Sequence, residues 1–234
     1  MNLTLPPRLQ TIASLITAKK TAADVGTDHG YLPVYLVVEK RIQKVIATDV
    51  NQDPLDKARK LIQSYGLEEK IITRLGDGLR MLEPYEAESI IIAGMGGVLI
   101  SDMLFASPEV AHSARELILQ PMQAEPYLRR YLIHHGYFIS QDILVHEKHH
   151  FYSILVARYE NRSAGQMDPF TMETGLYLRR QHPSTAQAFL LRKIQIWQRK
   201  FEGLQRTHRI DKAMIEEASQ MLQKLKEELE WHKK

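Results

Sequence analysis

The 234-residue sequence has no cysteine, so neither a disulfide framework nor a thiolate metal site can be built from it. No apolar run approaches the roughly 20 residues needed to cross a bilayer, which excludes a membrane-spanning helix. The opening stretch MNLTLPPRLQTIASLITAKK lacks an early basic region, and its apolar residues are spaced rather than continuous, so it does not read as a signal peptide. These absences lead to the expectation of a soluble cytoplasmic protein without a membrane partner. No Walker loop and no Ser–His–Asp arrangement is recognisable. Histidines gather in HHG (134–136) and HEKHH (146–150), but without the carboxylate–histidine spacing of a metal centre, so no metal is expected.

What remains is 44% hydrophobic, enough for one sizeable globular domain with something appended. The net charge of +3 is unevenly spread. Residues 161–234 carry 14 basic and 9 acidic side chains, against 17 and 19 in the first 160. A cationic third of this kind suits either a polyanion or a merely solvated face.

The first 160 residues alternate short β-branched runs with helix-period segments. TAADV (21–25) reads as a strand followed by a helix over 31–40, and KVIATDV (44–50) as a strand followed by a helix over 53–66. In that second helix Asp53 is the expected N-cap, Pro54 the first helical residue and Gly66 the stop. KIITRL (70–75) and SIIIAG (89–94) follow as buried strands, then a helix over 97–105, RELILQP (115–121) as a strand and a helix over 125–136. The last two runs, 137–147 and 149–160, are too close together for a helical crossover and must pair antiparallel. The order describes an α/β, doubly wound, mostly parallel sheet closed by an antiparallel hairpin. Beyond a boundary at NRSAGQMDP (161–169) the pattern is helical. Leu190, Ile194, Trp197, Phe201 and Leu204 form one heptad-like stripe, and Met214, Ala218, Met221, Leu225 and Leu229 a second. A break near QRTHRID (205–211) folds the two into an antiparallel, coiled-coil-like pair, with a helix over 171–181 ahead of them.

Ligands of doubly wound sheets bind past the C-terminal ends of the strands, and the loops there carry the chemistry. The first reads Asp24-Val25-Gly26-Thr27-Asp28-His29-Gly30. Gly26 and Gly30 keep the tight turn and the close helix–strand approach of a nucleotide loop. Asp28, however, stands where a pyrophosphate needs bare amides, with Asp24 adding a second carboxylate. That argues against NAD, FAD or ATP and for a ligand with a cationic end, such as S-adenosylmethionine; alternatively, Asp28 only caps the next helix. Asp49 ends the second strand where a carboxylate accepts ribose hydroxyls, or it simply begins a turn. Asp77, between Gly76 and Gly78, could accept adenine amino hydrogens, or the tripeptide is only a turn. After the fourth strand, AGMGG (93–97) brings Gly94, Met95 and Gly96 and leaves room for a flat group against backbone. It offers no acid or amide to hold an exocyclic amine, which fits attack by a ring nitrogen whose lone pair is already free and needs no proton removed, with catalysis by alignment. LQP (119–121), after the fifth strand, lines the same edge, or it is no more than a strand stop. In the tail Arg179, Arg180, Arg192, Lys193, Arg199 and Lys200 are candidates to face RNA phosphates, with Trp197 and Phe201 read as core first.

On ADVGTDHGYLP, GDGL, IAGMGG and LILQP together, the chain resembles the TrmK family of bacterial tRNA adenine methyltransferases, which act on N1 of adenine 22. The resemblance implies a Rossmann-type methyltransferase domain over 1–160 that uses S-adenosylmethionine. It also implies a helical, tRNA-binding domain over 161–234. By it Asp24, Gly26, Asp28, Gly30, Asp49, Asp77, Gly78 and Gly94 serve the cofactor, and His29, Tyr31, Pro33, Met95 and Gly96 face the adenine. The residues alone leave open a methyltransferase of small molecules or proteins with a dimerising tail, and a non-catalytic adenosyl-ligand or RNA-binding module. The expected assembly is a monomer or weak homodimer.

Overall fold

The computed structural model describes residues 3–162, 165, 167–206 and 211–233. The chain divides into two compact units, residues 1–166 and 167–234. Part of the proposed boundary segment and part of the 205–211 break, Arg209 included, lie outside the described residues.

The first unit begins with a helix the periodicity did not reveal, α1 (Pro7–Leu15). Its elements then follow as β1 (Thr21–Val25), α2 (Tyr31–Val38), β2 (Lys44–Asp49), α3 (Gln52–Ser64), β3 (Ile71–Leu75), β4 (Ser89–Gly96), α4 (Gly97–Ala106), α5 (Pro108–Ser113), β5 (Glu116–Gln123), α6 (Glu125–His134), β6 (Tyr137–Glu147) and β7 (His150–Tyr159). The sheet runs β3-β2-β1-β4-β5-β7-β6, with β7 antiparallel to both of its neighbours. The strand order reverses between β1 and β4, so the loops after these strands open away from each other and leave a crevice.

Central strands of a sheet covered on both faces need apolar side chains at every position rather than at alternate ones. Thus Ile90, Ile91 and Ile92 are all buried. Ile91 and Ile118 join Ile12, Val34 and Leu36 of α1 and α2 in one core, while the alternate residues face the opposite side. Among the described residues no helix is long and apolar enough to cross a membrane.

Two buried polar clusters tie this unit together. Glu116, at the start of β5, accepts hydrogen bonds from the amides of Thr17 and Ala18, the Thr17 hydroxyl and the Ser89 hydroxyl. Arg129 of α6 donates to both carboxylate oxygens of Asp142 on β6 and to the Ser153 hydroxyl on β7.

Some local expectations shift. Asn51, not Asp53, takes the N-cap position of α3, and Pro54 falls within the first turn, where a missing N–H still leaves no helical bond unmade. In the second unit the segment expected as a helix over 171–181 is split. Asp168 caps a short α7 (Pro169–Thr174), Gly175 ends it, and Leu178–Arg180 form a 3₁₀ turn. Then α8 (Pro183–Gln205) and α9 (Lys212–His232) pack antiparallel: Gln187 near the start of one donates to the carbonyl of His232 at the end of the other. Leu190 and Trp197 pack with Ala218, Met221, Leu225 and Leu229, as their spacing suggests, whereas Met214 in the first turn of α9 is exposed.

Candidate active site

A cleft of about 370 Å³ opens at the C-terminal edge of the sheet. Arg8, Leu9, Asp24, Gly26, Thr27, Asp28, His29, Tyr31, Leu32, Ala93, Gly94 and Met122 line it. Thus the loop after β1 and the end of β4 meet, joined by two residues from α1 and one from the end of β5.

Asp24, next to last in β1, is almost fully buried and accepts a hydrogen bond from the Thr27 hydroxyl at 2.8 Å. Burial lifts its pKa from 3.8 to about 6; the Thr27 hydroxyl pulls it down, and the nearby charge of Asp49 pushes it up. Asp49 is buried too. It accepts from the amide of Asp28 at 3.1 Å and from that of Asn51 at 2.9 Å, so it fixes the loop after β1 to the start of α3. Gly26 turns the chain at φ +74°, with the Met95 methyl group packed where a Cβ would stand. Asp28 keeps an exposed carboxylate, 2.6 Å from His29 Nδ1. The His29 and Tyr31 rings lie nearly parallel, 7° apart, and make a flat shelf at the mouth.

The other site candidates fall elsewhere. Pro33 is buried within α2, away from the cleft lining, because its place in the first turn points it into the core rather than toward a ligand. Gly30, expected at a helix–strand approach, instead lets two helices meet. At φ +75°, its missing Cβ would lie 2.9 Å from the Cβ of Ala58 and 3.1 Å from its Cα on α3. We predict that Gly30→Ala costs about 2–3 kcal/mol, part steric and part from the left-handed backbone. Urea denaturation of Gly30→Ala and of Gly30→Ala/Ala58→Gly checks this, since the second change relieves only the steric part. Asp77 is exposed and pairs with Arg80 at 3.1 Å, and Gly78 is buried against Met103; both stand one loop along the same sheet edge, outside the cleft lining. Gly96 caps α4. Among the described residues no group of three or more His, Cys, Asp or Glu is arranged to hold a metal ion.

Reading the sequence also missed residues that the cleft uses. Arg8 sits on a helix with few apolar positions, and Gln120, inside LQP, is fully buried. Gln120 accepts from Arg8 Nη1 and from the Gly94 amide, while its own amide nitrogen donates to the Pro121 carbonyl. The signal available was the polar Gln inside an otherwise apolar strand, which must find partners there.

In the tail, Arg179 makes two hydrogen bonds to Glu228, both 2.8 Å, and lies over the Trp231 ring; Arg180 lies over Tyr177 and Lys200 over Trp197. Lys193 is largely buried against Glu173 at 2.5 Å, so its charge is met inside the unit rather than offered to a phosphate.

A family model described as a methyltransferase domain matches residues 5–155. The tRNA (adenine(22)-N(1))-methyltransferase of Bacillus subtilis (strain 168) is 34% identical over 174 residues, covering 74% of this chain and 73% of its own length. The chain belongs to this methyltransferase family. Two solved structures extend the likeness across nearly the whole length. Streptococcus pneumoniae Sp1610, in complex with S-adenosyl-L-methionine, is 31% identical with a TM-score of 0.79, covering 97% of this chain and 100% of that one. M. capricolum TrmK, in complex with S-adenosyl-homocysteine, is 25% identical with a TM-score of 0.80, covering 97% and 98%. The family's methyltransferase match therefore spans every loop that lines the cleft.

Proposed function

We propose that this chain transfers a methyl group from S-adenosylmethionine to N1 of adenine 22 in tRNA. The observation that carries the reading is the charge of the cleft. Asp24 and Asp28 stand where phosphate-binding folds of this topology present bare amides. The residues present fit the cofactor. A cleft with a buried carboxylate suits a ligand bearing an ammonium and a sulfonium. A Cβ on Gly94 would meet nothing nearer than Arg8 Nη1 at 3.9 Å, so the lack of a side chain there holds space open.

Asp24 would receive the ammonium, Asp49 would offer its remaining lone pairs to the ribose hydroxyls, and the Gly26 turn would let backbone approach. S-adenosylmethionine supplies an electrophilic methyl group on its sulfonium. The chain's part is then to align the acceptor. The His29–Tyr31 shelf supports stacking of the adenine, presented with its N1 edge free of a Watson–Crick partner. The ring nitrogen attacks with its own lone pair, and no side chain has to remove a proton first. As the adenine gains positive charge, the Asp28 carboxylate at the mouth lowers its energy. The exposed Arg180, Arg199 and Lys200 of the second unit support contact with tRNA phosphates. The substrate puts the protein's work in the cytoplasm.

The test is incubation of the full chain with methyl-labelled S-adenosylmethionine and a tRNA carrying A22. Label in 1-methyladenosine at that position, mapped by nuclease digestion and mass spectrometry, is the expected result. Cofactor binding without transfer to any tRNA overturns it.

A further inference from the structure

The second unit has a hollow of its own, about 680 Å³ in volume, with Phe170, Arg179, Lys224, Lys226 and Trp231 in its lining. An adjoining one of about 430 Å³ shares Phe170 and Arg179 and adds Tyr177 and Arg180. Trp231 lies off the stripe of α9 that packs on α8: Leu225 and Leu229 are buried, whereas the indole keeps 46% of its surface exposed. One exposed aromatic alone needs no explanation, but its neighbours give this one a direction.

The Arg179 guanidinium lies over the indole, 4.7 Å from the ring centre. Its Nε and Nη2 donate to separate oxygens of Glu228, each at 2.8 Å, and that carboxylate is only 8% exposed. The fork is therefore fixed along one edge, yet the Arg179 side chain remains 60% exposed. A planar cation held this way has lost its side-chain freedom before any ligand arrives, so stacking on it costs little further entropy.

The charge of the hollow narrows what it can receive. Arg179, Lys224 and Lys226 are balanced on the same lining by Glu227, Glu228 and Glu230. A phosphate backbone seeks a net positive surface, which this balance does not supply. A nucleobase needs flat faces and fixed polar edges, and stacks on aromatic rings and guanidinium planes alike. Arg180, over Tyr177 in the adjoining hollow, supplies a cation for the phosphate that accompanies the base.

We infer that the Arg179–Trp231 layer is a stacking site for one unpaired nucleotide of the tRNA, other than the adenine that is methylated. The inference rests on the proposed tRNA substrate, and it changes the part expected of Arg179 from phosphate contact to base stacking. Bases inside a duplex are already stacked on both faces, so such a site selects loops over stems.

The full chain, Trp231→Ala, Trp231→Phe and Arg179→Lys are titrated with tRNA, with an RNA duplex of equal length and with AMP. Anisotropy of labelled RNA gives affinity and salt slope, and intrinsic fluorescence reports the indole. Binding of tRNA is expected to quench the wild-type emission, and the quench should vanish in Trp231→Phe, which keeps Trp197. Trp231→Ala should weaken tRNA binding about 5- to 100-fold at unchanged salt slope, and Trp231→Phe by less. Arg179→Lys should lose at least about 5-fold although its charge is kept, with duplex affinity unchanged throughout.

An equal quench in the wild-type chain and Trp231→Phe overturns the inference, and this comparison does not depend on how the alanine variant folds. Wild-type tRNA affinity in Arg179→Lys also overturns it, and assigns Arg179 to a phosphate. Equal losses for tRNA and duplex overturn it as a backbone contact, and a quench by AMP but not by tRNA overturns it in favour of a free nucleotide. A wild-type chain that binds no tRNA counts against the substrate reading itself, whereas tRNA binding without a quench counts against the stacking site alone.

Discussion

Asp24→Asn will melt about 3–10 °C higher than the wild-type chain at pH 8, yet bind S-adenosylmethionine at least about 100-fold more weakly. Both effects come from one buried carboxyl group. Its pKa in the folded chain is about 6, above its ordinary 3.8. As pH rises from about 4, the unfolded chain therefore loses this proton first, and the fold grows less stable until the native carboxyl has also ionised near pH 6. Above that, the deficit is constant, on the order of 3 kcal/mol for about two units at 1.36 kcal/mol each. The amide removes the charge and keeps an acceptor for the Thr27 hydroxyl. Its new N–H groups need partners, which brings the net gain down to about 1–3 kcal/mol. At pH 5 the native carboxyl is mostly protonated but the unfolded one is ionised, so about half of that deficit remains; the gap between the two melting temperatures should narrow there and be lost only near pH 4. Cofactor binding runs the other way. An ammonium needs the ionised acid, so wild-type affinity should fall roughly tenfold per pH unit below 6. Thermal melts and calorimetry at pH 5 and 8 check both; a variant that melts below the wild type at pH 8 would show that burial does not burden Asp24.

The second large effect lies away from the cleft. Asp142→Ala should lose about 3–5 kcal/mol in urea denaturation, because it takes the opposite charge away from a guanidinium that is 1% exposed. Of the contacts described above, the bond of Arg129 to Ser153 would remain. Arg129→Met/Asp142→Leu should recover most of the loss, since removing both charges removes the desolvation burden together with the attraction. A single-variant loss below about 1 kcal/mol would contradict this. The pair matters to the site because it clamps the β6–β7 hairpin, whose far end carries Glu147 and Tyr152, two of the groups that hold Arg8.

Much of the first unit was legible because its strands are continuous apolar runs and its helices are bounded by glycine and proline. The residues Asp24, Gly26, Asp28, His29 and Gly94 could be found because each stands at or just beyond the C-terminal end of a strand. What escaped depends on contacts distant in sequence. Arg8 acquires its place from Gln120 and Glu147, 112 and 139 residues away. Gly30 faces Ala58 rather than a strand, and nothing near Gly30 in sequence says so. Lys193 reads as a surface charge until Glu173, 20 residues upstream, is seen beside it. α1 escaped because only Ile12, Ala13 and Leu15 of its nine residues are buried, too few to show a period.

The four donors gathered on Glu116 give the amino-terminal segment a property chain ends seldom have. Terminal helices ordinarily fray independently of the body they rest on. Here, peeling α1 away would break both its entry, at Glu147, and its exit, at Glu116, and leave the latter's carboxylate inside with Ser89 alone. The first helix is therefore held to the sheet at both ends and opens only when the sheet does. The wall it contributes to the cleft is thereby tied to β5 and β6.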